Sequence, residues 1–121
     1  MSTTMDKSLA LTVCTALGQS VRMDVVRALV RAGDDGLPAG VIADAVGVSH
    51  NLLSSHLGRL GAAELVSSER RGRSIIYRAR YDTLRGLLAF LMHDCCQGRA
   101  DVLDGLMDGL PTAIQREKVT P

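Results

Sequence analysis

One segment, residues 49–62, constrains the fold most because it predicts a helix with two chemically opposite faces. At 3.6 residues per turn, Leu53, Leu57 and Leu60 form an apolar stripe. The opposite face is small, polar and uncharged, and it consists of Asn51, Ser54, Ser55 and Gly58. Solvated helix faces normally carry Lys and Glu, whereas short hydrogen-bonding side chains let a helix enter a DNA major groove and reach base edges. A face of small residues packed against another helix is the alternative interpretation.

Composition limits what surrounds this helix. The 121 residues are enough for one domain, and they are 46% hydrophobic but only 2% aromatic. The core is therefore predicted to be Leu, Val, Ala and Ile on packed helices. The formal net charge of +1 excludes a general polyanion binder, so a nucleic-acid surface has to be local. The absence of a long apolar run and of a signal-peptide pattern predicts a cytoplasmic protein without a membrane partner, whose three cysteines are reduced thiols.

The periodicity before this helix predicts three more helices, over about residues 6–17, 20–32 and 38–46. Ser20 is the expected N-cap of the second helix, and Pro38 suits the first position of the third. Ser49 is the expected N-cap of helix 49–62. A short helix, a turn containing Gly47 and a longer helix form a helix-turn-helix layout.

The second half of the chain predicts a β-hairpin and another long helix. Residues 64–68 and 74–78 are β-rich and flank a basic tip at 69–73, which is the arrangement of a wing. From Asp82, a predicted N-cap, the next helix runs to near Gly98. The fold class is thus mainly α with a small β-hairpin, a winged helix-turn-helix. The apolar stripe of this long helix is predicted to be Leu84, Leu87, Leu88, Leu91 and Cys95. A short helix is expected within residues 99–110. The domain is then predicted to span residues 1–110, with a frayed tail at 111–121.

Positive charge is concentrated next to this helix-turn-helix. Residues 59–80 contain six Arg and two Glu, a local excess of four. Arginines on a hairpin tip can straddle phosphates or enter a minor groove. The alternatives are an ordinary solvated loop and a winged-helix module that binds protein instead of DNA. The residues predicted to contact DNA are Ser49, His50, Asn51, Ser54, Ser55, Arg59, Arg70, Arg71 and Arg73.

Two adjacent cysteines, Cys95 and Cys96, close the long helix. Neighbours in a helix point about 100° apart and cannot both serve one packing stripe. Near a helix end both sulfurs can converge on one soft ion, so a thiolate ligand site is weighed above core packing. Redox sensing is the runner-up. A bridge between consecutive residues is strained, but Cys14 can pair with either one if the first and long helices touch.

The remaining polar residues point away from catalysis. His56 falls toward the apolar side of its helix, which favours a hydrogen-bonded structural histidine. His93 alone is weak evidence for a metal ligand. No Ser/His/Asp set, phosphate-binding loop or carboxylate pair stands out in the sequence, so an enzyme is not expected.

The order of elements and the residues in them resemble the ArsR/SmtB family of bacterial winged-helix repressors. The piece Ser54-x-His56-Leu57 followed by a basic wing is fairly specific. The full resemblance spans about residues 10–98 and includes Ala16–Arg22, Leu37–Ala43, Gly47–Leu57, Leu65–Val66, Arg71–Arg73 and Tyr77–Arg78. It implies a homodimer formed through the first and last helices, bound to palindromic double-stranded operator DNA and released when an inducer binds.

Departures from the family pattern indicate which inducer this chain is expected to bind. The thiol motif of the short helix is missing, and only Asp82 matches the zinc site of the last helix. The ending Asp94-Cys95-Cys96 resembles arsenite-responsive members, so the resemblance implies As(III) as the inducer, with Sb(III) as a second candidate. Members of that subgroup commonly have a third cysteine a few residues later, which this chain lacks. Either two protein sulfurs and a small ligand hold As(III), or Cys14 completes the set, from the same or the partner subunit.

Overall fold

The structure, a computed structural model, describes residues 5–109. It confirms the predicted winged helix-turn-helix. The helices are α1 Lys7–Leu17, α2 Ser20–Ala32, α3 Ala39–Val46, α4 His50–Ala62, α5 Tyr81–Phe90 and α6 Ala100–Leu103. The strands are β1 Leu37–Pro38, β2 Val66–Arg71 and β3 Ser74–Ala79. Two 3-10 turns, Gly33–Asp35 and Met107–Gly109, and a π-helical segment, Leu91–Cys95, complete the elements. The predicted tail at 111–121 lies outside the described residues.

The first two helices form nearly where the periodicity places them. Asp6 caps α1, because its Oδ1 accepts a hydrogen bond from the Leu9 backbone N–H at 2.7 Å. The predicted cap of α2 is wrong by one residue. The Gln19 side chain accepts from the Arg22 N–H at 2.8 Å, and Ser20 is already helical.

The helix-turn-helix consists of α3 and α4. Pro38 was expected inside the third helix, but it ends β1 and occupies the N-cap position of α3. Gly47 ends α3 in the left-handed conformation, with φ 76°. Ser49 then caps α4 as predicted, with its Oγ accepting from the Leu52 N–H at 3.2 Å.

The sheet has three antiparallel strands in the order β1-β3-β2. β1 was not predicted, since two residues are too few to show an alternating pattern. The predicted bounds of the hairpin are also wrong. Glu64 adopts φ 62° outside the sheet, and β2 begins at Val66 and continues to Arg71. Gly72, with φ 61°, and Arg73 then form the two-residue turn, as in a type II′ hairpin. Arg70 and Arg71 therefore lie on a strand, not in the turn.

The core is aliphatic, as the composition predicts. The predicted stripe of α4 is confirmed, because Leu53, Leu57 and Leu60 are all buried. Leu52 is on the solvent side and is 48% exposed. The largest fully buried side chains come from the four helices α1 to α4 and from the loop before β2, and they are Val13, Val25, Leu29, Ile42, Leu53, Leu60 and Leu65.

The long helix predicted to reach Gly98 is interrupted. α5 ends at Phe90, and the π-helical segment follows, where the Cys96 N–H donates to the Leu91 carbonyl at 3.0 Å. The N-cap prediction is wrong, since Arg80 occupies the cap position and Asp82 lies in the first turn.

The predicted apolar stripe of the long helix is only partly buried. Leu87 is buried, but Leu88 is 60% and Leu91 is 40% exposed. Cys95, the last member of the stripe, is also exposed. The last predicted helix, within 99–110, is reduced to α6 and a 3-10 turn.

Among residues 5–109, no single helix has both the length and the apolar composition to cross a bilayer. The pair Lys7–Leu17 and Ser20–Asp35 reaches these values only jointly, and it is bent by 98°.

Candidate nucleic-acid interface and thiol groove

The polar face of α4 is open to solvent. Asn51, Ser54, Ser55 and Gly58 are all exposed, while Leu53 and Leu57 on the other side are buried. Within the described residues, nothing lies within 4 Å of the position that a Cβ on Gly58 would occupy. The helix-packing alternative for this face is therefore not realised in the described chain.

The N-terminus of α4 is positioned by its neighbours. The hydroxyl of Ser49 is engaged in the cap, although the residue remains exposed. His50 is exposed, and its ring Cε1 lies 3.6 Å from where a Cβ on Gly40 would be, so the ring sits beside the start of α3. His50, in the first turn of α4, thus lies next to α3.

His56 fixes the buried side of α4. It is 9% exposed, and its Nδ1 lies 3.4 Å from Nη1 of Arg22. The Nε–H of Arg22 donates to the Ala16 carbonyl at 2.8 Å, so one guanidinium joins the end of α1 to α4. Burial lowers the pKa of His56, and the positive charges of Arg22 and Arg59 lower it further. The structural role predicted for His56 is confirmed, whereas the role of Arg22 was missed, although the residue lies within the resembling run 16–22.

Arg78 stabilises the wing, a role that the sequence pattern did not indicate. Its Nη1 donates to Glu69 Oε1 at 2.7 Å, and its Nε donates to the Asp34 carbonyl at 2.7 Å. The pKa of Glu69 is lowered by the hydrogen bond from Arg78 and by the charge of Arg71. Arg78 and Glu69 occupy diagonal positions on the paired strands, a juxtaposition that is visible only once the register is known.

Five of the six arginines counted in 59–80, all but Arg59, lie on or next to the wing and differ in their ion pairs. Arg78 and Arg80 form ion pairs with Glu69 and Glu64, the two glutamates of the same segment. Arg71 makes a longer ion pair with Glu69, at 3.6 Å. The other wing arginines, Arg70 and Arg73, are exposed and have no ion pair in the described part of the chain. The positive charge available to phosphates is therefore concentrated near the hairpin turn.

The wing and the helix-turn-helix share a groove. Arg73 and Ile75 of the wing line it together with Pro38 and Gly40 at the start of α3, and its volume is about 290 Å³. Arg59, the remaining predicted DNA residue, is exposed on α4 and lines a different groove against α1. Eight of the nine predicted residues thus lie on the N-terminal part of α4 or on the wing, and Arg59 lies farther along α4.

The cysteines are not equivalent. Cys14 of α1 and Cys95 of the π-helical segment line one groove of about 480 Å³, whose walls are mainly apolar side chains such as Leu11 and Phe90. The condition set for a Cys14 pairing, contact between the first and long helices, is met, since α1 packs on α5. Cys96 is half-buried and is not part of the lining.

A metal site made of three side chains from one chain needs those side chains close together. Among residues 5–109, no three His, Cys, Asp or Glu side chains come close enough to hold a metal ion. The three cysteines therefore do not form a three-sulfur site inside one described subunit.

Comparison with known proteins identifies relatives of this arrangement. A family model described as a helix-turn-helix domain matches residues 17–69. The nodulation protein NolR of Rhizobium meliloti is 30% identical over 86 residues, which cover 71% of this chain and 68% of NolR. An ArsR-like transcriptional regulator from Rhodococcus sp. RHA1 is similar in structure, with a TM-score of 0.66 and 28% identity, covering 74% of this chain and 82% of that chain.

A further solved structure is the homodimeric winged helix-turn-helix DNA-binding domain of a possible ArsR-family regulator from Mycobacterium bovis. It matches with a TM-score of 0.57 and 26% identity, covering 74% of this chain and 85% of that chain. The matched helix-turn-helix, the wing and the NolR relationship agree with each other. The chain belongs to the ArsR family of winged-helix, DNA-binding transcriptional regulators.

Proposed function

We propose that this regulator is a thiol-controlled repressor. It binds palindromic operator DNA as a homodimer and is released when As(III) binds Cys95 and Cys96. The exposed polar face of α4 supports the DNA part of the proposal, and so do Arg70 and Arg73 of the wing, which form no ion pair within residues 5–109. The sensing part is supported by the position of Cys95, which lines the groove between α1 and the π-helical segment together with Cys14 and precedes Cys96 in the sequence.

The dimer is proposed to form through α1 and the region after β3. Leu11, Leu88 and Leu91 are 57%, 60% and 40% exposed, which is unusual for large apolar side chains on neighbouring helices. A second copy would cover them, and the M. bovis relative is homodimeric. The cysteines would then lie near the subunit interface.

DNA recognition is proposed to use two separate sets of residues. In a two-fold dimer, the two copies of α4 enter successive major grooves about 34 Å apart. Asn51, Ser54 and Ser55, with His50 at the helix start, contact bases. Wing arginines such as Arg73 contact phosphates and set the position of the protein on the duplex.

Inducer binding is proposed to act at the end of the dimerisation region. Thiolates bind thiophilic As(III) and Sb(III) in preference to hard ions. Cys95 lies in the π-helical segment, where backbone hydrogen bonding is already irregular. Two sulfurs with a small ligand, or Cys14 of the partner subunit as a third, would hold the metalloid. Inducer and operator then oppose each other through a coupling free energy of about 1–3 kcal/mol.

A titration of labelled promoter DNA tests this proposal. As(III) and Sb(III) should release the wild-type protein, and Zn(II) should not. The double variant Cys95→Ser and Cys96→Ser should bind DNA with unchanged affinity and ignore As(III). Retained release by As(III) in this variant would show that the thiol assignment is wrong.

A redox response is the second candidate, because Cys14 and Cys95 line the same groove. Peroxide would oxidise the two thiols to a disulfide and be reduced to water, with two electrons and two protons leaving the sulfurs. Polysulfide would oxidise the same pair to a disulfide, and the two electrons and two protons would cleave one of its own S–S bonds into two S–H groups. Release by peroxide or polysulfide but not by As(III), lost in Cys14→Ser and kept in Cys96→Ser, would favour this reading over the first.

A further inference from the structure

A second groove, of about 360 Å³, lies between α1 and the C-terminal end of α4. Its polar lining is Arg22, Arg59, Thr12 and Thr15, and the rest is alanine and leucine. This volume lies at the lower end of the range for small-molecule sites. The groove lies apart from the wing and contains no cysteine.

The guanidinium of Arg22 is held in place at the edge of this groove. Its Nε–H donates to Ala16, and its Nη1 is next to His56 Nδ1, at 2.8 and 3.4 Å respectively. A guanidinium has five N–H donors, so these two contacts leave others for a ligand. Because the group is already oriented, a ligand would not have to order it on binding.

Arg59 brings a second positive charge to the same groove. In residues 5–109, no carboxylate forms an ion pair with either Arg22 or Arg59. Both charges help to lower the pKa of His56, after its burial on the core side of α4. An anion in the groove would balance two neighbouring cations that lack a counter-charge in the described chain.

We propose that this groove binds a small organic carboxylate. The carboxylate accepts hydrogen bonds from the two guanidiniums, the donors best matched to its planar geometry. The Thr15 hydroxyl, exposed on α1, is a further donor. The apolar body of the ligand packs on the alanines of the groove, Ala16, Ala62 and Ala63. An inorganic anion would satisfy the charge but leave this apolar wall exposed.

Isothermal titration calorimetry of benzoate into the full-length protein, without DNA, tests the proposal. We expect saturable binding of one benzoate per chain, with a Kd of about 1 mM or lower. Two control ligands each lack one part of benzoate: benzyl alcohol has the ring without the charge, and inorganic phosphate has charge without the ring. Each should bind at least about tenfold more weakly than benzoate.

Two variants that lose the same charge show whether benzoate binds in the groove or is attracted only by the overall charge of the protein. Arg59→Ala should weaken benzoate binding about tenfold or more, because a charge-assisted hydrogen bond is lost. Arg31→Ala removes an exposed arginine outside the groove and should leave the Kd unchanged. Arg22 also joins two helices, so Thr15→Val serves as the second groove variant and should weaken binding without unfolding.

Three results would overturn the proposal. They are the absence of saturable benzoate binding to the wild type, equal effects of Arg59→Ala and Arg31→Ala, and phosphate binding as tightly as benzoate. Since DNA is absent from this experiment, its failure leaves the operator proposal untouched. Loss of operator binding likewise does not affect it.

Discussion

Gly36 lies directly before β1 and against β3 of the wing, and its replacement by alanine tests how closely the backbone approaches β3 there. The residue is buried, with φ 67° and ψ −171°, a region that is essentially restricted to glycine. A Cβ there would lie 2.6 Å from the Tyr77 carbonyl oxygen and 2.8 Å from side-chain carbons of Ile76 and Arg78. The carbonyl belongs to the central strand β3, so it cannot move away without breaking strand pairing.

Gly33 is a matched control for this substitution. It has φ 69° and ψ −147°, nearly the same backbone conformation, but nothing within 4 Å of an added Cβ in the described residues. Gly33→Ala should therefore cost only the backbone strain, about 1–3 kcal/mol. Gly36→Ala should cost that amount plus about 1–3 kcal/mol for the steric overlap.

Urea denaturation followed by circular dichroism, at one fixed protein concentration because a dimer is expected, measures the two free energies of unfolding. Gly36→Ala should be less stable than Gly33→Ala by at least about 1 kcal/mol. Equal destabilisation by the two substitutions would refute the close approach of Gly36 to β3. The fixed position of β1 against the wing would then also have to be abandoned.

Three further predictions concern the DNA surface and its support. Arg73→Ala should reduce the steepness of log affinity against log salt by roughly 2 per dimer, because each lost phosphate contact contributes about 0.9. Fluorescence anisotropy with operator DNA measures this slope. The control Arg27→Ala, which removes an arginine paired with Asp24 on α2, should leave the slope unchanged. The pKa of His56 is lowered on folding, so the unfolded chain takes up the proton first as the pH falls below about 6.5. The free energy of unfolding of the wild type should therefore decrease as the pH falls through this range. His56→Gln should flatten this pH dependence in urea titrations. Gly58→Ala should raise the free energy of unfolding by about 0.5–1 kcal/mol, because alanine is the better helix former, yet it should weaken operator binding. A variant that gains stability and binds the operator as before would contradict a role for this face in DNA contact.

The local patterns of the chain determined most of the helix-turn-helix. The spacing of Leu53, Leu57 and Leu60 assigns one side of α4 to the core, and the opposite side must then face outward. Ser49 and Gly47 mark the helix ends because their capping roles depend only on adjacent backbone groups. The cluster of arginines and the turn glycine likewise predicted a wing.

Only the tertiary structure decided which charges are available and which thiols are neighbours. Arg78 and Glu69 are nine residues apart in sequence, and strand register alone brings them together. Cys14 and Cys95 share a groove because α1 packs on α5, whereas the adjacent Cys96 is half-buried and does not line it. Short strands such as β1 and the π-helical break after Phe90 depend on long-range contacts and backbone hydrogen bonding, which no periodic pattern of side chains encodes.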